Sequence, residues 1–188
     1  MKRPIVIAVA VGFAVGGLVA LFALLGWPML ERERALDTPK LPVWAEVQWP
    51  FPMDEWGKGK AFRCEASDCG VQVNVYIRAK IGFCNCTTGV SDDDELVRLA
   101  DFKLIGESPL ALGAGRPISV AWMKGRSRAY TDKRPHHSAL AVAFNDRCDA
   151  VVATALIAHS QPAPIEPSVI AFLNSNTVIH WAEVTLGL

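Results

Sequence analysis

The chain has 188 residues, 51% of them hydrophobic, and its 19 Lys+Arg balance 19 Asp+Glu. That balance excludes a nucleic-acid binder driven by bulk charge, and the supply of Val, Ile, Leu and Phe excludes a disordered tail. With Met1–Trp27 set aside, 161 residues carry 17 basic and 19 acidic side chains, enough for one domain with a core and short for two.

Pro4 to Leu30 is a run of 27 residues without a charge. A spanning helix needs about 20 apolar residues, so residues 4–27 are expected to cross and contact the membrane. Lys2 and Arg3 flank its start, which by the positive-inside rule keeps the N-terminus in the cytoplasm, and Trp27 suits an interfacial anchor. A cleaved signal peptide would have an apolar region of about 7–15 residues and a small-x-small site, and neither fits. Gly12, Gly16 and Gly17 give a small-xxx-small spacing, although glycine is common in spanning helices. The expected layout is a cytoplasmic stub and transmembrane anchor over residues 1–30, with the rest of the chain outside. In a bacterium that means a single-pass inner-membrane protein with a periplasmic domain.

Residues 31–58 read as a juxtamembrane linker. Glu31-Arg32-Glu33-Arg34 forms a charged collar, and Pro39, Pro42, Pro50 and Pro52 favour extended backbone. The interleaved Trp44, Trp49 and Trp56 either fold back on the domain or meet the membrane or a partner, so they are candidate partner-binding residues.

Residues 59–188 read as one exported domain. Val71–Ala79 alternates Val71, Val73, Val75, Ile77 and Ala79 against Gln72, Asn74, Tyr76 and Arg78, the pattern of a half-buried strand. Ile118–Met123, Leu140–Phe144, Val151–Ile157 and Thr177–Leu186 are expected as further strands, with a tight antiparallel connection at Asn145-Asp146-Arg147. On the last of these strands His180 would share a face with Val178, Ala182 and Val184 as a hydrogen-bonded core residue. One helix is expected after Ser91, its cap, with Asp92, Asp93 and Asp94 at the positive end of the dipole and Leu96, Leu99 and Ala100 facing inward. A second starts at Glu166-Pro167, buries Val169, Ile170 and Leu173 and ends at Asn174. The expected class is therefore α+β: a mainly antiparallel sheet with about two helices.

The cysteines carry the most specific signal. Cys64, Cys69, Cys84 and Cys86 are clustered and Cys148 stands apart. In an exported domain such a cluster points to disulfides rather than to zinc. Cys64 and Cys69 flank a short polar loop that a bridge would staple. Cys84 and Cys86 lie roughly 6.6 Å apart in an extended chain, near the limit for a direct bond, so one of them is expected to bond Cys148 and the other to stay free. The competing chemistry is thiol–disulfide exchange or copper(I) binding at Cys84 and Cys86, with His136 and His137 as further ligands.

Lys124 to Arg134 is a basic stretch with five positive charges and one negative, expected as an exposed hairpin loop. Lys124, Arg126, Arg128, Lys133 and Arg134 are its candidate contacts with an acidic partner or anionic headgroups, and charge reversal there is expected to leave folding intact. Adjacent His136 and His137 make a poor chelate. The contiguous run Asp92–Glu95 lacks the alternating oxygens and turn glycine of a calcium loop. No Gly-x-Ser-x-Gly, phosphate loop or dinucleotide fingerprint occurs, and no catalytic residue or cofactor is expected. These features favour a non-enzymatic, membrane-anchored protein whose domain acts by contact with a protein or the membrane surface, as an accessory subunit of a membrane complex. The alternative is an exported copper or thiol-redox accessory protein.

Overall fold

The computed structural model describes residues 41–104, 109–131, 136–159, 161–162 and 164–188. The expected transmembrane helix and charged collar lie outside the described residues, as do Lys133 and Arg134. Among the described residues no helix is long and apolar enough to cross a membrane.

The strands are β1 (Trp44–Val47), β2 (Lys60–Cys64), β3 (Val73–Lys80), β4 (Leu110–Ala111), β5 (Arg116–Val120), β6 (Met123–Thr131), β7 (Ser138–Asp146) and β8 (Asp149–Ile157). They form one sheet in the order β1-β2-β3-β8-β7-β6-β4, and β5 also pairs with β6. Every pairing is antiparallel. The helices are α1 (Ala66–Cys69), α2 (Asp93–Leu99), α3 (Glu166–Leu173) and α4 (Asn176–Leu186), with a 3-10 turn at Phe102–Leu104. The α+β class and the mainly antiparallel sheet hold, with four α-helices among the described residues where two were expected.

Both faces of the sheet are covered. On one, Val73, Val75 and Ile77 of β3, Val151, Ala153 and Ile157 of β8, and Leu140, Val142 and Phe144 of β7 pack under Val169, Leu173, Val178 and Ala182 of α3 and α4. On the other, Leu96 and Leu99 of α2 share a second core with Ala139, Ala141, Ala143, Ala150 and Val152. Those alanines keep the sheet surface low where the helix crosses it. A strand covered on both sides should be apolar at successive positions, and Ser138–Phe144 is buried throughout. Leu96 and Leu99 are both fully buried, each contributing on the order of 2 kcal/mol to holding α2 down.

Residues 41–58 of the Pro/Trp-rich segment belong to this fold. Its β1 pairs with β2 from Trp44↔Cys64 to Val47↔Ala61, and the compact unit begins at Leu41. Trp49 lies over Gly59, where an added Cβ would sit 2.1 Å from the Ile77 carbonyl oxygen and 2.8 Å from the indole. Only glycine lets β2 start there.

Three elements differ from expectation. Thr177–Leu186 is not a strand but lies within α4: Val178, Ala182 and Leu186, four residues apart, make the buried stripe. His180 and Val184 consequently face solvent, and His180 is no core residue. Ile118–Met123 is not one strand but the end of β5, a two-residue turn at Ala121-Trp122 and the first residue of β6, with Val120 opposite Met123. Ala121 has φ +50°, and the Asn174 side chain holds the turn by accepting the Ala121 N–H at 2.8 Å. The basic stretch through Thr131 is strand β6, an inner strand of the sheet, instead of an exposed loop. The first long helix also starts one residue later than expected: Asp92, not Ser91, caps it by accepting the Glu95 N–H at 2.8 Å.

Candidate functional site

Two ion clusters tie α2 and the residues after it to the sheet. On β6, the Arg126 guanidinium donates to the Asp93 carboxylate, and its Nη2 donates to the Gly115 carbonyl at 3.0 Å. Arg128 lies 3.4 Å from the same carboxylate and donates from Nε to the Gly113 carbonyl at 2.8 Å. The Gly115 N–H and the Arg126 guanidinium hold the Asp93 carboxyl below its ordinary pKa. On β3, the Arg78 guanidinium grips Asp101 through Nε at 2.5 Å and Nη2 at 2.9 Å, while Nη1 reaches Asp54 at 2.7 Å. Lys80 Nζ sits 2.8 Å from Asp101 and donates to the Leu99 carbonyl at 2.6 Å. Burial opposes the charge on Arg78, but Asp101 and Asp54 more than offset it and raise its pKa. The same Arg78 bond holds the Asp54 carboxyl below its usual range.

This placement changes the reading of the basic stretch. Arg126 and Arg128 are about one-fifth exposed and already paired with Asp93, so reversing them would set like charges against that carboxylate. The expectation that such a reversal leaves folding intact is corrected. Lys124 is exposed, and among the described residues no carboxylate pairs with it.

The cysteines form two bridges, Cys64–Cys69 and Cys86–Cys148, with Cys84 free and buried. The Cys84 N–H donates to the Cys148 carbonyl and its thiol to the Arg147 carbonyl, both at 3.1 Å. Burial, followed by the nearby Glu95 and Asp149 charges, pushes the Cys84 thiol above its ordinary pKa. A protonated, capped thiol is a poor nucleophile and a poor metal ligand. His136 is exposed with φ +62° and His137 is half-buried. Among the described residues no three His, Cys, Asp or Glu side chains come together as a metal site, so the structure does not gather Cys84, Cys86, His136 and His137 into one.

The three tryptophans each have an aromatic neighbour in the domain. Trp44 stacks on Phe172 at 4.5 Å between ring centroids, and Trp49 meets Phe51 at 5.4 Å and Tyr76 at 6.1 Å. Trp56 packs edge-on against Phe83 at 4.8 Å. Beneath that last pair lies Lys80, 5.4 Å from the Trp56 ring and 5.8 Å from the Phe83 ring. Arg98 lies over Phe83 at 4.8 Å, donates to its carbonyl at 2.7 Å and is held in place by Glu95 at 2.5 Å.

Phe83 and two sequence neighbours of the cations that flank it are exposed apolar residues. Phe83 is 36% exposed, Val97 beside Arg98 is 44% exposed and Ile81 beside Lys80 is 55% exposed. Sequence reasoning gave Ile81, Phe83, Val97 and Arg98 no part in a site. The available signal was Ile81 and Phe83 flanking Gly82 in a turn, where bulky apolar side chains have no local reason to be. No family model matches the chain, and no curated protein matches it in sequence.

Proposed function

We propose that this chain is a single-span membrane protein, anchored through residues 4–27, whose extracytoplasmic domain acts as an accessory subunit by binding a protein partner. In a bacterium it would sit in the inner membrane with the domain in the periplasm. The anchor rests on the 27-residue charge-free run preceded by Lys2-Arg3. The two disulfides agree with an oxidising compartment.

The observation that carries the contact role is the partly exposed Phe83 ring, packed on Trp56 and under Arg98, with exposed Ile81 and Val97 next in sequence to Lys80 and Arg98. Isolated exposed apolar residues are ordinary, but an exposed phenyl ring held between a tryptophan and an arginine has the aromatic and arginine composition of a protein-binding surface. The alternative, a copper or thiol-redox accessory protein, draws on Cys84 and Cys86. It is less favoured, because Cys86 is bonded to Cys148 and Cys84 is buried.

The test is a triple variant, Ile81→Glu with Phe83→Glu and Val97→Glu, in membranes of the native organism. The melting transition should stay close to wild type, while the detergent-solubilised chain should shift from a larger assembly to its own size on a native gel. Wild-type protein already running at its own size would overturn the contact role, as would an unchanged assembly in the variant. Binding of the wild-type domain to lipid vesicles that the variant loses would replace the protein partner with the membrane surface. A reporter fused after Leu188 should be active only if it is one that works outside the cytoplasm. Protection of the domain from protease in spheroplasts would overturn the topology.

A further inference from the structure

On the α2 face of the sheet a groove of about 410 Å³ opens between the loop after Cys86 and the β5–β6 hairpin. Its volume falls within the roughly 300–1,000 Å³ of small-molecule sites. Two chemistries line it. Val90 and Pro117, which lies on the same face of the hairpin as Ser119 and Lys124, supply an apolar part, while Ser91, Ser119, Asn145 and Lys124 supply polar atoms. The lining holds one cation and no carboxylate. Arg126, which reaches the Ser91 carbonyl at 3.5 Å, shares the Asp93 carboxylate with Arg128, and the Ser91 hydroxyl lies 3.4 Å from Asp92, so the two arginines and two aspartates beside the groove sum to zero charge.

The walls are fixed before any ligand arrives. The Asn145 Oδ1 accepts the Val90 N–H at 3.0 Å, and its Nδ2 donates to the Arg147 carbonyl at 2.9 Å. Gly89, with φ +59°, presses so close that an added Cβ would lie 2.3 Å from Asn145 Oδ1. The Asn85 side chain accepts the Thr87 and Thr88 N–H groups at 2.9 and 3.1 Å and shapes the turn. The Cys86–Cys148 bridge joins this loop covalently to the β7–β8 turn. A rigid groove keeps the ordering cost of binding low.

We propose that this groove binds a small organic monocarboxylate, its carboxylate on Lys124 and the two serine hydroxyls and its apolar body against Val90 and Pro117. The charge count selects the class. One lysine with neutral donors matches a single negative charge, whereas a phosphate dianion would leave one charge unmatched in a site without arginine. The site is separate from the Phe83 surface and does not depend on the role proposed for it.

The experiment titrates the full-length chain in lipid nanodiscs by calorimetry, with empty nanodiscs subtracted, using benzoate, benzyl alcohol and phenylphosphonate as probes. Benzoate should give saturable one-to-one binding that weakens as salt rises. Lys124→Met should weaken it tenfold or more, and Lys124→Arg should retain most of it. Benzyl alcohol should give no saturable heat, and phenylphosphonate should bind less tightly than benzoate. Lys124 is exposed, so both variants should melt with the wild type. Ser91→Ala with Ser119→Ala should weaken benzoate severalfold and provides a second measure. The proposal fails if benzoate shows no saturable binding or if Lys124→Met binds it like the wild type. It fails equally if the alcohol matches the acid or if the phosphonate binds more tightly.

Discussion

Asp101→Asn tests the buried cluster on β3 directly. The wild-type carboxylate takes two bonds from Arg78, at 2.5 and 2.9 Å, and faces Lys80 at 2.8 Å. Arg78, Lys80 and Asp101 have side chains only 5%, 6% and 7% exposed. The substitution preserves shape and removes the charge, leaving two buried cations with Asp54, itself 34% exposed, as the one remaining carboxylate of the cluster. Removing one partner of a buried pair costs about 3–5 kcal/mol. The lower end applies here, because Asp54 still holds Arg78 and the Leu99 carbonyl still accepts from Lys80. At about 3 kcal/mol, and roughly 2–4 °C per kcal/mol for a domain of this size, the midpoint should fall by about 10 °C. Urea unfolding of the full chain in detergent, with disulfides intact, would be followed by tryptophan fluorescence, since Trp56 lies over Lys80. A companion variant, Arg78→Met with Lys80→Met, Asp101→Leu and Asp54→Asn, should lose less than the single one, because it removes the four charges together and leaves only the Leu99 carbonyl without its donor. A loss below about 1 kcal/mol in Asp101→Asn would refute the reasoning. So would a companion variant as unstable as the single one.

Asp93 has a lowered pKa, so its contribution is fully present above the unfolded carboxyl value near 4 and is lost as pH falls through that value toward the folded one. Unfolding measured between about pH 5 and pH 2 should therefore show a steep acid limb, shallower in Asp93→Asn. Arg126→Glu with Arg128→Glu should lower the urea midpoint clearly at neutral pH, since it sets two new anions against Asp93, and an unchanged midpoint would contradict the pairing. Cys148→Ser opens a bridge across 62 residues and Cys69→Ser one across 5, so the chain-entropy relation gives losses of about 4 and about 2 kcal/mol respectively. The ratio of the two losses in urea checks this. Cys84 should resist alkylation in the folded chain and react once it is unfolded, as mass mapping of labelled peptides would show.

The cysteine pairing could be read from the sequence because spacing is a local fact: a short loop for Cys64 and Cys69, and a separation near the limit of a direct bond between Cys84 and Cys86. Strands β3, β7 and β8 showed for a similar reason, since their β-branched and apolar runs suit a pleated, buried surface in either direction. The last helix did not, because Thr177-Val178-Ile179 favours strand by propensity, and the stripe at Val178, Ala182 and Leu186 only gains meaning against the sheet. The β5–β6 turn carries Ala121-Trp122 where glycine or asparagine would signal a hairpin, and Asn174, 53 residues away, supports it. The basic stretch misled most. Its partner Asp93 sits 33 residues before Arg126 inside an acidic run that explains itself as helix capping, and only Asp92 of that run makes the cap. The Phe83 surface and the Lys124 groove are tertiary in origin and have no local pattern.

The place of β3 in the sheet sets the order in which the domain can assemble. One neighbour, β2, is delivered within a few residues, but the other is β8, with Lys80 opposite Ala150 and Val73 opposite Ile157. The first three strands therefore cannot complete their hydrogen bonding until the β7–β8 hairpin has emerged, some 70 residues later. Such non-local closure predicts folding in milliseconds to seconds, well behind hairpin formation, and as one late event. Until then β3 presents an open edge flanked by Val73, Val75 and Ile77, the arrangement that recruits strands from other chains. A chain cut short before Ser138 should accordingly aggregate through β3, and the half-made domain is the stage at which a holding chaperone would be needed.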